Sequence, residues 1–244
     1  METIIQISGN SASIDFSNKD ISGTFITSQN KQYHMLADTL YSEKSDNAPE
    51  CVVVFTDTDV LYRKTLSGDT CVSDLSLCKV FNNGSCAFLT DDSNFIVLDS
   101  DGKQIAKRKT PEGIERIEYI GSYAWGVGFD DDDSTLLWLF NFTTKKSEKK
   151  KLPCFSIPDA ECEVRELSPS DADIIRLGNH FIIGYDDGKT CTAYDFTFHP
   201  VKPSDAEYEA VFSVQRQRLA AEQAEKEKKR IAHEAYLKEK DHSK

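Results

Sequence analysis

The stretch SCAFLTDDSNFIVLDS, Ser85–Ser100, decides how this chain folds. Two short runs, Cys86–Thr90 and Phe95–Leu98, flank the polar triplet Asp91-Asp92-Ser93. Each run is short for a helix and rich in residues that suit a pleated surface, while Asp, Asn and Ser between them form turns; the stretch reads as strand, turn, strand. The same plan recurs in SASIDF-SNKD-ISGTFI from Ser11, CVVVFT-DT-DVLYRKT from Cys51, YAWGVGF-DDDDS-TLLWLFNF from Tyr123 and HFIIGY-DDG-KTCTAYDF from His180. With Asn18, Asp57, Asp91, Asp130 and Asp186 as landmarks, the spacings are 39, 34, 39 and 56 residues, the last lengthened by a loop expected from Lys145 to Asp171.

A period near 40 residues with about four strands per unit is the rhythm of β-propeller blades, whose stacking buries sheet faces that one blade leaves open. In this rhythm residues 1–203 resemble the WD40-like propeller class. The class signature is missing, since Trp125 is followed by Gly126 and Trp138 by Leu139. The expected fold is therefore an all-β, small or partial propeller-like body over 1–203, with a β-sandwich of about ten strands as the alternative. An array that stays open exposes strand edges at Thr3–Ser8 and Cys191–Phe198.

Past Pro203 the character changes. Residues 204–244 contain no Gly or Pro, and Ser204 with Glu207 forms a capping box, so a long helix is expected there. Tyr208, Val211, Phe212 and Leu219 make an apolar stripe suited to docking on the body. Glu222–Lys226, Glu225–Lys229 and Glu234–Lys238 are i,i+4 pairs that support a solvated, coiled-coil-like distal half. The segment YEAVFSVQRQRLAAEQAEKEKKR resembles the end of the non-catalytic WD-repeat subunit of tRNA guanine-N7 methyltransferase. That resemblance covers about 25 residues and implies a role in supporting a catalytic partner beside tRNA. The family has a longer ring with recognisable WD repeats, which this chain lacks, and no functional residue is carried over from it.

The chain has 244 residues with 29 Lys+Arg against 41 Asp+Glu, a formal net charge of -12. The 204–244 tail is balanced, with 9 residues of each sign, so the excess negative charge lies in 1–203. An acidic body repels a polyanion, which argues against direct nucleic-acid binding. Two basic runs, Lys103–Lys109 and Lys145–Lys151, read as solvated surface, the first as a strand and the second as a hairpin end or loop. No stretch reaches the roughly 18 consecutive apolar residues of a membrane span, and the first residues lack a signal peptide's basic start and apolar run. The expected location is intracellular, cytoplasmic or nuclear. Seven cysteines without a C-x-x-C pair, and five scattered histidines, indicate reduced, mostly buried thiols rather than disulfides or zinc.

Motifs that suggest chemistry fail on spacing. GYDDGKT, Gly184–Thr190, ends like a phosphate loop, but its first glycine falls one position late and a strand follows. Asp186-Asp187-Gly188 reads better as a hairpin turn. DSDGK, Asp99–Lys103, and Asp130–Asp133 lack the remaining ligands of a calcium loop. No nucleophile elbow, H-E-x-x-H or Cys-His signature occurs. The sequence therefore calls for no cofactor, metal or catalytic residue. It points to a non-enzymatic interaction or scaffold subunit bound to a protein partner, either a basic surface or a catalytic subunit. The expected partner-binding residues are Asp130, Asp131, Asp132, Asp133, Asp186, Asp187, Arg216, Arg218 and Leu219. Two alternatives stand beside it: an acidic inhibitor or immunity-type protein of a basic nuclease or toxin, and an enzyme, which requires a deep pocket lined by convergent polar groups.

Overall fold

Continuous apolar runs such as Cys51–Phe55 need cover on both faces, and that requirement organises the molecule. The computed structural model describes residues 3–17, 19–39, 49–68, 70–159 and 163–241; the landmark Asn18 and Cys162 lie outside them. The described chain packs as two compact units, 1–151 and 152–244. The change in secondary structure at Pro203 is thus not where the contacts divide: the helix shares its unit with the last strands.

Unit 1 begins with β1 (Ile4–Ser8), β2 (Ser11–Asp15), β3 (Asp20–Thr27), β4 (His34–Thr39), β5 (Glu50–Phe55) and β6 (Val60–Thr65), neighbours in chain order in one antiparallel sheet. β3 belongs to both halves of this sheet. Its start pairs with β2, Asp20 opposite Asp15, and its end with β4, Thr27 opposite His34. The sheet folds back on itself, so Ala12, Ile14 and Ile21 pack against Leu36, Cys51, Val53 and Phe55.

Two four-stranded meanders follow. One is β7 (Lys79–Val80), β8 (Cys86–Leu89), β9 (Asn94–Leu98) and β10 (Gln104–Lys109); the other is β11 (Ile117–Ile120), β12 (Tyr123–Phe129), β13 (Thr135–Asn141) and β14 (Lys146–Lys151). Alternation along the strands assigns their two faces. Cys86, Phe88, Ile96 and Leu98 meet Met35, Val52 and Val54 of the first sheet. Ala87, Leu89, Phe95 and Val97 meet Ala124, Trp138 and Phe140 of the next. The β7–β10 sheet is thus buried on both faces. A two-layer sandwich solvates its outer faces, whereas stacked four-stranded meanders are the packing of propeller blades. Gly128 on β12 belongs to this packing: a Cβ there would clash with the carbonyl oxygen of Glu112, in the segment laid across that strand.

The loop expected from Lys145 to Asp171 is instead largely strand. Lys146–Lys151 form β14, paired with β13 from Asn141 opposite Lys146 to Leu136 opposite Lys151. Its charges read as loop, yet β14 is an outermost strand, where lysines block edge-to-edge association. The basic run Lys103–Lys109 ends in β10, likewise an outer strand.

Unit 2 opens with the hairpin β15 (Phe155–Asp159) and β16 (Glu163–Leu167), then the meander β17 (Asp173–Leu177), β18 (His180–Gly184) and β19 (Cys191–Asp195). The helical assignment α1 runs over Asp205–Asp241. Side chains are described without interruption through Ser213, and Val211 packs with Ile182 and Ala193. All five quoted hairpins form antiparallel pairs.

Among the described cysteines, Cys51, Cys78 and Cys86 are buried and Cys191 is half-buried, whereas Cys71 and Cys154 are exposed, against the expectation that they fill the core. Burial pushes the Cys86 thiol up to about 12 and raises that of Cys78 as well. On a Cys162→Ser background at about pH 8, a thiol reagent should therefore modify Cys71 and Cys154 quickly. Cys51, Cys78 and Cys86 should react only on unfolding. Mass-spectrometric mapping of modified thiols over time measures this, and fast labelling of Cys86 in the native protein would contradict the core described here.

Candidate functional site

The acidic tips serve their turns first. Between β12 and β13, the Asp130 carboxylate accepts a hydrogen bond from the Ser134 N–H at 2.7 Å, and the Asp133 N–H donates to the Asp130 carbonyl at 3.0 Å. Asp133 occupies a left-handed conformation, φ 60°, which a short polar side chain tolerates. Lys151 lies 3.2 Å from an Asp132 oxygen and 3.9 Å from Asp130. The Asp132 carboxyl is held down to about 2 by a hydrogen bond with Asp130, then by Lys151 and Ser134. Asp131 and Asp133 are exposed and have no ion-pair partner among the described residues.

The second tip, between β18 and β19, is tighter. Asp187 accepts from the N–H groups of Lys189 at 2.9 Å and Thr190 at 2.8 Å and from the Thr190 hydroxyl at 2.7 Å. Burial alone would raise its carboxyl, but the backbone donors at Thr190 and Lys189 outweigh it and hold it below the usual range. Asp186 is half-buried beside it. The turn reading of Asp186-Asp187-Gly188 therefore holds, and Gly188 supplies φ 69°.

The start of α1 sits against this turn. The Ser204 N–H and hydroxyl both donate to Glu207 Oε2 at 2.8 Å, and the Glu207 N–H donates back to the Ser204 hydroxyl at 3.3 Å. This is the capping box read from the sequence. The Tyr208 hydroxyl donates to the Lys189 carbonyl, and its ring meets Phe212 edge-on at 4.5 Å. Val211 is fully buried and Phe212 nearly so. One acidic turn and the helix start are thereby joined in unit 2, while Asp130–Asp133 belong to unit 1. Beyond Ser213, Arg216 pairs with Glu209 at 2.5 Å, Lys229 with Glu225 at 2.8 Å and Arg230 with Glu227 at 2.6 Å. The side chains of Arg218 and Leu219, and the Glu222–Lys226 and Glu234–Lys238 pairs, lie outside the described residues.

No family model matches the chain. No curated protein matches it either. Among solved structures it is similar to BBS1N in complex with ARL6DN, at 12% identity over 79% of this chain, with a TM-score of 0.40. It is also similar to HIRA, at 7% over 82% and 0.47, and to BamB from Moraxella catarrhalis, at 8% over 82% and 0.43. The chain spans 57%, 57% and 62% of those chains, respectively. No described helix is long and apolar enough to cross a membrane.

Two features escaped the sequence reading. Thr27, His34 and Asp57 form a hydroxyl–imidazole–carboxylate chain, with Thr27 Oγ1 and Asp57 Oδ1 each 3.0 Å from a ring nitrogen of His34. In a nucleophilic triad the carboxylate is buried behind the imidazole. Here the Asp57 side chain is 78% exposed while that of His34 is 8% exposed, and the ring packs between Phe25 and Phe55. The chain pins the β5–β6 turn to the sheet. The second feature is a cavity of about 590 Å³ in unit 1, lined by residues of four separate turns that no linear motif connects. No histidine or cysteine is among its described lining residues.

Proposed function

We propose that the protein is a non-enzymatic interaction subunit whose β units are a rigid frame and whose C-terminal helix, from Arg216 onward, engages a partner protein. The observation that carries this reading is the contrast within α1. Its first turns are capped by Ser204 and Glu207 and held by buried Val211 and Phe212, while the side chains described beyond Ser213 are exposed. A charged helix fixed at one end presents the other at little entropic cost to the frame. Its single exposed large apolar residue among those described, Ile231, is the natural contact point for a partner helix.

The same geometry weakens the acidic-inhibitor reading. Asp130, Asp132 and Asp187 are committed to turn donors or to Lys151, and their diversion to a basic partner would cost those bonds. Asp131 and Asp133 remain the acidic contacts of a secondary surface, with the half-buried Asp186 beside the second turn. The tail's resemblance to a non-catalytic methyltransferase subunit makes a catalytic subunit one partner to look for.

The test is affinity capture from the native cell type with the full chain and with a chain ending at Ser213. That end point keeps Val211 and Phe212 in place, so lost binding is not lost folding. The expected result is one stoichiometric partner, retained at moderate salt by the full chain and absent from the shortened one. A partner held equally by both overturns the placement of function on the helix.

A further inference from the structure

The inter-sheet core of unit 1 opens at one end into the 590 Å³ cavity. It is bounded by the connection from β7 to β8 and by the β9–β10, β11–β12 and β13–β14 turns. Its floor carries Phe81 and Phe142, both half-buried, their rings edge-to-face at 5.2 Å and continuous with Phe95 and Tyr119 beneath. Ile105 joins them at the register shift between β9 and β10, where the irregularity re-aims a side chain.

The rim carries two opposite charges held apart. Asp99 accepts from the N–H groups of Asp101 at 3.1 Å and Lys103 at 2.9 Å, which fixes its carboxylate. Lys145 lines the same cavity from a left-handed turn position, φ 57°, and makes no ion pair with Asp99 or with any other described residue. Asn82 and Asn83 complete the rim. Their side-chain oxygens accept from Asn30 and Ser85, and their N–H donors have no partner among the described residues.

We propose that this cavity binds a peptide segment of a partner protein in which an aromatic side chain is flanked by a basic and an acidic residue. A third ring on Phe81 and Phe142 extends an edge-to-face cluster, which such rings favour. The flanking charges match Asp99 and Lys145, and the free Asn82 and Asn83 donors meet peptide carbonyls. The volume suits a segment rather than one buried group and lies within the usual range of ligand sites. The lining residues all belong to unit 1 and the helix to unit 2, so failure of this site and failure of the helix reading are distinguishable: the chain ending at Ser213 is expected to bind the peptide as the full chain does.

The probes are end-blocked, fluorescent Gly/Ser peptides containing Lys-Phe-Glu or Glu-Phe-Lys, read by polarisation with the full chain. One order binds saturably, and replacing its Phe by Ala weakens binding at least about tenfold. Lys145→Glu weakens it about tenfold and is rescued when Lys replaces the peptide's Glu. Asp99→Asn, which keeps the turn's acceptor, also weakens it, with the unfolding midpoint unchanged in both variants. Absence of saturable binding by either order, indifference to the Phe, failure of the charge-swap rescue, or equally tight binding of free phenylalanine each overturns the proposal.

Discussion

Phe95→Ala should cost unit 1 about 3–5 kcal/mol of stability, the usual toll of an aromatic cavity in a closed core. Phe95 is fully buried and stands at the centre of the inter-sheet aromatic cluster, 5.0 Å from Trp138 and 5.2 Å from Phe140. The sheet that carries it is covered on its other face by Ile96 and Leu98 against the first sheet, so the neighbours have little room to close the gap. Phe95→Leu keeps much of the volume and should cost about 1–2 kcal/mol. Urea unfolding followed by tryptophan fluorescence measures both. A loss below about 1 kcal/mol for Phe95→Ala would mean that the two meanders do not pack face to face as described.

Val211→Asp should release the helix. Val211 is fully buried among Ile182, Ala193 and the partly buried Ile175, Leu177 and Val201. A carboxylate placed in this apolar cluster costs on the order of 3 kcal/mol, enough to favour undocking over burial. Hydrogen exchange reads the outcome directly. Amides of 208–213 should lose protection in the variant, while Glu225→Ala, on the exposed part of the helix, should change stability by less than about 0.5 kcal/mol. Undiminished protection at 208–213 in Val211→Asp would show that the helix is not held by this contact.

The parts of the fold that were legible are those where burial and turn chemistry speak together. Cys51–Phe55 and Phe95–Leu98 are apolar on both faces, so their strands declare themselves, and the Asp-rich joints between strands are turns whose carboxylates bind backbone donors. The capping box at Ser204 and Glu207 was legible because its two residues lie three apart. What stayed hidden was decided by position in the sheet. Lys146–Lys151 form a strand because Leu136–Asn141 of β13 pair with them, and an outer strand needs no apolar residues of its own. The cavity could not be read because Phe81, Asp99, Ser122 and Lys145 come from four turns that meet only after the meanders align. Asp130–Asp133 were visible as a charge cluster, yet their partner Lys151 becomes a neighbour only through the pairing of β13 with β14.

The most direct test of the scaffold account is the affinity of the captured partner for three purified forms at low and moderate salt. These are the full chain, the chain ending at Ser213, and a full chain with Asp130–Asp133 changed to Asn. The account predicts that removal of 214–244 abolishes binding, that the Asn form binds within about threefold of the parent, and that salt weakens the complex only slightly. Binding that survives the truncation but collapses with salt or in the Asn form would contradict it and place function on the acidic turns.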